Sequence, residues 1–472
     1  MIADLKPYPT MKDSGVPWLG KVPEKWEVLP ALATYKPKLE KNTGMVERTV
    51  LSLSYGRIIV KPAEKLRGLI PESFETYQIV NPGNIIVRTT DLQNDHTSLR
   101  IGHSRNRGII TSAYLCLETT DRVSNEFGYQ FLNTYDLLKI IYGFGSGLRQ
   151  NLDFSDIKRM PVLVPPKEEQ AAIVRFLDHA DRRIHRYILA KQKLIKLLEE
   201  QKQAIIHRAV TRGLDFNVRL KPSGVEWLGD MPEHWDIMLL GRCVTRIEQG
   251  WSPVAAEGEL AELQWAVLTL SSVRRGTFDA TAIKPISKDA SVPEEIEIHN
   301  GDFLLTRSNT RDRVGDVCIV ENVRPKTILC DLIYRLRINN ETTDSRFLML
   351  QLLAPLGRGQ IERDARGSSD TMPKISQRHI KSWRVLLPSL EEQRKIVENA
   401  KVGFASIDAA IDRAYREMSL LHEYRTRLIA DVVTGKLDVR EPSARLPDEA
   451  GEPEAIDNAE ADLDAMPEEA EA

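Results

Sequence analysis

Two stretches of this chain repeat one another without a gap, and both have the pattern of a very long helix. The first, residues 165–215, opens on Pro165-Pro166 and Glu168-Glu169-Gln170, then runs about 40 residues without glycine or proline. Proline and acidic side chains suit a helix start, and Gly213 suits its end. Steps of four and three give Ile173, Leu177, Ala180, Ile184, Tyr187, Lys191, Leu194, Leu198, Gln201 and Ile205. That narrow apolar stripe predicts a coiled-coil seam rather than a broad core face. At ~1.5 Å per residue the rod is roughly 60 Å long, and it needs a partner to cover its seam. Adding 223 to each number gives the partner, residues 388–438. Glu391-Glu392-Gln393 then falls on Glu168-Glu169-Gln170, Thr434 on Thr211, and a second seam through Ile396, Ala400, Ile407, Leu421 and Leu428 on the first.

A shorter repeat precedes each helix. Residues 12–26, KDSGVPWLGKVPEKW, recur at 221–235 as KPSGVEWLGDMPEHW. Glycine and proline make the segment turn-rich, and Trp18, Leu19 and Trp26 are its expected buried anchors. The chain is therefore two copies of one plan: a Trp motif, a globular region and a long helix. The boundaries read as 1–26, 27–164, 165–215, 216–235, 236–387 and 388–438, with an acidic stretch at 441–472.

The globular regions read as mixed. Region one has β-type runs at Glu47–Ser54, Asn84–Thr90, Gly108–Glu118 and Arg159–Val164, a helical pattern over Phe127–Tyr142, and a glycine-rich loop at 143–151. Region two echoes it: Asn300–Arg307 matches Pro82–Arg88, Thr327–Arg337 matches Gly108–Glu118, and Arg358–Met372 stands where the glycine-rich loop was. The predicted class is α/β in the α+β sense. Two mixed domains are joined by two long helices in an antiparallel coiled coil, with pseudo-twofold internal symmetry.

The net charge of −3 hides a contrast: the last 32 residues hold twelve acids against Arg445, leaving residues 1–440 at +8. The tail reads as disordered, and a basic body fits a nucleic-acid partner. No run reaches the ~18 apolar residues of a membrane span. Cys116, Cys243, Cys318 and Cys330 show no Cys-x-x-Cys pairing, so a reducing cytoplasm is the expected compartment and no metal site is expected. P-loop, dinucleotide, zinc-protease and nucleophile-elbow motifs are all missing, so no catalytic residues and no cofactor are expected. Glu200-Gln201-Lys202 reads as a salt-bridged helix face. The remaining chemistry is recognition. Loops of region one carry Arg88, Arg100, His103, Arg105, Arg107, Arg149, Gln150 and Asn151. Those of region two carry Arg307, Ser308, Asn309, Arg311, Arg313, Arg358, Arg366, Lys374 and Gln377. Arginine forks read guanine and phosphate, and amides pair with adenine.

The Trp-Leu-Gly…Pro-x-x-Trp motif, the Pro-x-x-Glu-Glu-Gln-x-x-Ile-Val helix start and the Thr-x-x-Leu-Asp helix end, each present twice over residues 12–440, resemble the DNA-specificity subunits of type I restriction–modification systems. The resemblance implies that 27–164 and 236–387 are target recognition domains and the long helices conserved spacers. It implies a non-catalytic subunit that reads a bipartite target in double-stranded DNA, binds two modification (methyltransferase) subunits and is joined by restriction (translocase and nuclease) subunits. The exposed helix faces and Trp motifs are the expected docking surfaces. The alternative is a coiled-coil scaffold without sequence-specific DNA binding. The acidic tail has no counterpart in the motif pattern.

Overall fold

Strand pairing between residues far apart in sequence builds each half of the chain. The computed structural model describes residues 5–447 apart from 63–72, 91, 94, 96–97, 145–150, 255, 257–259, 262–263, 288 and 366–371. Two units emerge, one of residues 1–190 with 417–472, the other of residues 191–416.

In the first unit a four-stranded antiparallel sheet runs Tyr35–Pro37, Leu115–Thr119, Ile85–Val87, Ile101–His103. Helix Asn125–Leu137, capped by the Ser124 hydroxyl, packs Phe127, Phe131 and Tyr135 into the core against it. Smaller pairings add the hairpin Leu51–Ser54 with Arg57–Val60, and Gln78–Val80 with Gly108–Ile110. The run Gly108–Glu118 is thus two strands; a turn with Tyr114 N–H donating to the Thr111 carbonyl divides it. The predicted helix over Phe127–Tyr142 is interrupted at Lys139, whose φ is +57°, and ends in a 3-10 turn. Pro161–Val164 pairs with Glu27–Pro30 and feeds the first long helix, Lys167–Arg212. One apolar core joins Trp26, the sheet, Ile173–Ala180 of that helix and Leu428–Val433 of the second long helix, Leu390–Val433.

The second unit repeats the order: Val244–Gln249, Ile333–Ile338, Phe303–Thr306, Val317–Ile319. Helix Ser345–Leu353 is capped by Asp344, and a helix at Pro355–Asp364 follows it. Arg358, expected on a loop, is on this helix. Asp236–Leu239 pairs with Arg384–Leu387 ahead of the second long helix. Ile157 and Ile380, 223 residues apart, are both buried.

The long helices pack antiparallel in each unit. In the first, Asp181 pairs with Arg425 and Arg175 reaches the Leu446 carbonyl. In the second, Lys202 Nζ lies 2.6 Å from Asp408 and 5.2 Å from the Phe404 ring centre, so it joins the two helices rather than decorating one face. Ile173, Leu177, Ala180 and Ile184 are buried in the first seam, but beyond them the buried positions are Ile188, Ile195 and Ile206. Tyr187 and Leu194 are exposed, and Leu198 and Ile205 are half-buried. A strict seven-residue count undershoots the helix's 3.6 residues per turn, and the stripe slips by one residue. On the second helix Ile396, Ile407 and Leu428 are buried and Leu421 half-buried, without a slip.

A short helix, Arg440–Ala444, with Val439 and Leu446 in the core, brings the chain to Pro447. The rest of the acidic stretch lies outside the described residues. No helix among the described residues is long and apolar enough to cross a membrane.

Candidate nucleic-acid interface

Each globular region is fastened to its helices by the same clasp, made from the repeated motifs. Glu169 accepts the Trp26 indole N–H at 2.8 Å and the Tyr8 hydroxyl at 3.2 Å, with Arg440 3.6 Å away. Glu392 accepts the Trp235 indole at 3.1 Å and faces His234 at 2.9 Å. Both tryptophans are fully buried. Gly435, at the end of the second helix, has φ +74°, and a Cβ there would lie 2.4 Å from Pro23 and 3.0 Å from Trp26; Gly213 stands likewise beside Trp235. The next residue completes the clasp. Gln170 accepts from Ser124 N at 2.8 Å and donates to the Arg122 and Pro165 carbonyls at 3.0 and 2.9 Å. Gln393 accepts from Asp344 N at 2.7 Å and donates to Thr342 and Pro388 at 3.0 and 2.9 Å. Both amides are buried with oxygen and nitrogen engaged, so each joins the start of a long helix to the N-cap of the domain's own helix. Reading Glu-Glu-Gln as a helix start accounts for these acids locally and misses this tertiary role. The recurrence of glutamine after the two glutamates was the available signal.

The first tryptophan of each motif differs between copies. Trp18 packs edge-on against Tyr135 at 4.7 Å, whereas Trp227 is exposed.

The arginines separate into interior and surface sets. Arg100 is fully buried and donates to Tyr142 Oη at 3.0 Å and to the Thr90 and Asp95 carbonyls at 2.8 and 2.6 Å. It is a fastener of its loop, not a DNA contact. Arg358 does the same in region two, donating to the Val314 carbonyl at 3.0 Å and to Asp316 at 3.3 Å. Burial pushes the Asp316 carboxyl above the usual range, against the pull of Arg358. Arg335, absent from the sequence-derived set, is also fully buried, between Glu248, Asp302 and the carbonyls of Glu295 and Glu297.

On the surface of region one, Arg88 pairs with Asp95 at 3.2 Å. Burial opposes the Asp95 charge, but bonds from Ser98 and the charges of Arg100 and Arg88 hold its carboxyl below the usual range. Arg105 is exposed on the turn after strand Ile101–His103, and Arg107 reaches Glu47 at 3.4 Å and Asn81 at 3.2 Å. Asn151 is exposed, and Phe144 packs on the core beside Tyr135. In region two, Arg307 lies 5.8 Å from the Tyr334 ring centre, Asn309 turns its amide oxygen to Thr310 N, Arg311 is exposed, and Arg313 is half-buried beside Asp312. Lys374 is exposed where its backbone bridges to Ser308. The loop 307–316 thus gathers Arg307, Asn309, Arg311 and Arg313, with Lys374 beside it. Arg149, Gln150 and Arg366 lie outside the described residues. Among the described residues, no group of His, Cys, Asp and Glu is arranged to hold a metal ion.

The class that this duplicated fold resembles is that of type I restriction–modification specificity subunits, and comparison with known proteins bears on it at three levels. Residues 59–196 match the family described as the type I restriction modification DNA specificity domain. The chain is 26% identical over 180 residues to the EcoEI specificity subunit of Escherichia coli, a stretch covering 38% of this chain and 30% of that subunit. It is 23% identical over 296 residues to the putative MjaX specificity subunit of Methanocaldococcus jannaschii, covering 62% of this chain and 63% of that one. The matched stretches therefore span less than two thirds of those relatives. A structure solved for the assembly and conformational transition of a type I R-M system shares the fold, with a TM-score of 0.59 at 15% identity, over 88% of this chain and 99% of that one.

Proposed function

We propose that this chain is the DNA-specificity subunit of a type I restriction–modification complex. The observation that carries the reading is the clasp built twice from the same residue types, because two copies of one reader suit a bipartite target in double-stranded DNA. Each region reads one half-site, the differing loop residues make the target asymmetric, and the length of the long helices sets the spacer. The contacts proposed for the first half-site come from Arg88, Arg105, Arg107, Arg149, Gln150 and Asn151. Those for the second come from Arg307, Asn309, Arg311, Arg313, Arg366 and Lys374. The seam residues Ile173, Leu177, Ile184, Ile396, Ile407 and Leu428 hold the helix pair together. Two modification (methyltransferase) subunits dock on the equivalent clasp and helix surfaces, and restriction subunits join that core; methyl transfer and cleavage belong to them. Four free, buried cysteine thiols suit work in the cytoplasm.

The test is DNA binding by the complex purified through this chain. The reading predicts sequence-dependent affinity whose logarithm falls linearly with the logarithm of salt concentration. Assembly of partner subunits with no sequence preference and no salt slope is the outcome expected of a scaffold and contradicts the reading.

A further inference from the structure

We propose that the tips of two equivalent β-hairpins, Tyr55 with Arg57 in region one and Arg274 with Arg275 in region two, are base-reading elements, each entering the major groove at one half-site. This rests on the reading of the chain as a DNA-specificity subunit.

The first hairpin turns through Tyr55-Gly56, with φ of +45° and +79°. Two positive φ values make the tight turn whose twist matches the strands, a turn normally given to Asn-Gly or Gly-Gly. A tyrosine there adopts a conformation uncommon for side chains larger than Asn. It is also 52% exposed, a large ring at the tip of a ribbon. The base is tight: a Cβ on Gly102 would lie 2.6 Å from Leu53, and one on Gly56 3.0 Å from Leu99. The scaffold is therefore fixed, with the Tyr55 ring in solvent and Arg57 half-buried across the turn from it.

The second hairpin, Val273-Arg274 with Thr277-Phe278, turns through Arg275-Gly276, where Gly276 has φ +92°. Gly276 N–H donates to the Val317 carbonyl at 2.8 Å, and a Cβ there would lie 2.9 Å from Leu353. Arg275 Nη2 donates to the Asp312 carbonyl at 3.1 Å. Arg358 braces that loop from beneath through Val314 and Asp316. Arg275 is thus tied to the 307–316 loop that carries Arg311 and Arg313, while Arg274, exposed beside it on the hairpin, lies 3.7 Å from Asp279 and donates to the Ser271 carbonyl at 3.1 Å.

The hairpins are equivalent in sequence as well as position. Val50-Leu51-Ser52-Leu53-Ser54 runs directly into the first turn, and Val267-Leu268-Thr269-Leu270-Ser271 precedes the second, separated from it by Ser272, Val273 and Arg274. Scaffolds alike, tips different: one aromatic with one arginine, the other with two arginines. A two-stranded ribbon fits the major groove, and arginine forks there discriminate guanine.

The experiment puts Tyr55→Ala, and separately the double variant Arg274→Ala/Arg275→Ala, into the full chain within its complex. It is read by single-molecule methylome sequencing of the host and by the melting temperature of each purified complex. Each variant is expected to relax base preference in one half-site only, with methylation of the original site down roughly tenfold or more and the melting temperature within a few degrees of wild type. If the alanine pair melts low, Arg274→Lys/Arg275→Lys keeps the charge and removes the fork, and the same half-site change is expected. A folded variant with both half-sites and methylation unchanged, or both half-sites altered together, overturns the assignment. A wild-type complex that leaves no bipartite motif removes the specificity-subunit reading itself, and the tip assignment with it.

Discussion

Glu169 and Glu392 each accept an indole N–H from a tryptophan 143 and 157 residues away in the chain. Substituting Trp26→Phe or Trp235→Phe keeps the ring and removes the donor to a charged acceptor. The expected loss is about 1.5–3 kcal/mol in each case, read from the urea unfolding curve. Arg335→Met leaves Asp302 buried beside fewer donors and is expected to cost about 3–5 kcal/mol, whereas exposed Arg105→Ala should change stability by less than about 0.5 kcal/mol. Acid unfolding of the second unit should involve Glu248. Burial opposes its charge, but the bond from Arg335 and the charges of Arg335, Arg337 and Arg246 prevail and hold its carboxyl below the usual range. Its contribution is present above the unfolded value of about 4.3 and is lost as pH falls through the lower folded value. Glu248→Gln should make the acid transition, followed by tryptophan fluorescence, less steep. These roles were only partly legible in sequence: Arg100 stands between Leu99 and Ile101 and Arg105 between Ser104 and Asn106, but neither pair of neighbours names the groups that meet the guanidinium. What separates them is whether facing carbonyls and carboxylates close around the guanidinium.

The long helices were the most legible elements, since 40 residues of apolar periodicity with no helix breaker leave few other conformations. The seam past Ile184 was read one residue early because heptad counting drifts against a straight helix, and the burial of Ile188, Ile195 and Ile206 records the drift. Strands were legible as apolar runs, but not where the turn at Thr111–Tyr114 divided one of them. The hairpins went unread because Tyr-Gly and Arg-Gly are not the usual turn pairs; their glycines and matching Val-Leu-x-Leu lead-ins were the available signal. The prediction at this scale concerns helix length. A four-residue insertion near Lys191 should change the spacer of the methylated motif and leave both half-sites unchanged. Half-sites that change over a constant spacer would show that helix length does not measure the gap.

Across the whole molecule, one plan is executed twice: the same strand order, the same N-cap held by a buried glutamine, the same buried tryptophan held by a glutamate. The copies diverge where hairpin tips meet solvent, as at Tyr55 against Arg275. Shared scaffold and divergent surface are what two readers of different half-sites require. The most direct test is single-molecule methylome sequencing of cells that carry this chain with its partner subunits, set against cells from which it is deleted. The account predicts a bipartite motif with two unlike halves and a fixed spacer, lost on deletion. A methylation pattern unchanged by the deletion, or a single uninterrupted motif, would contradict it.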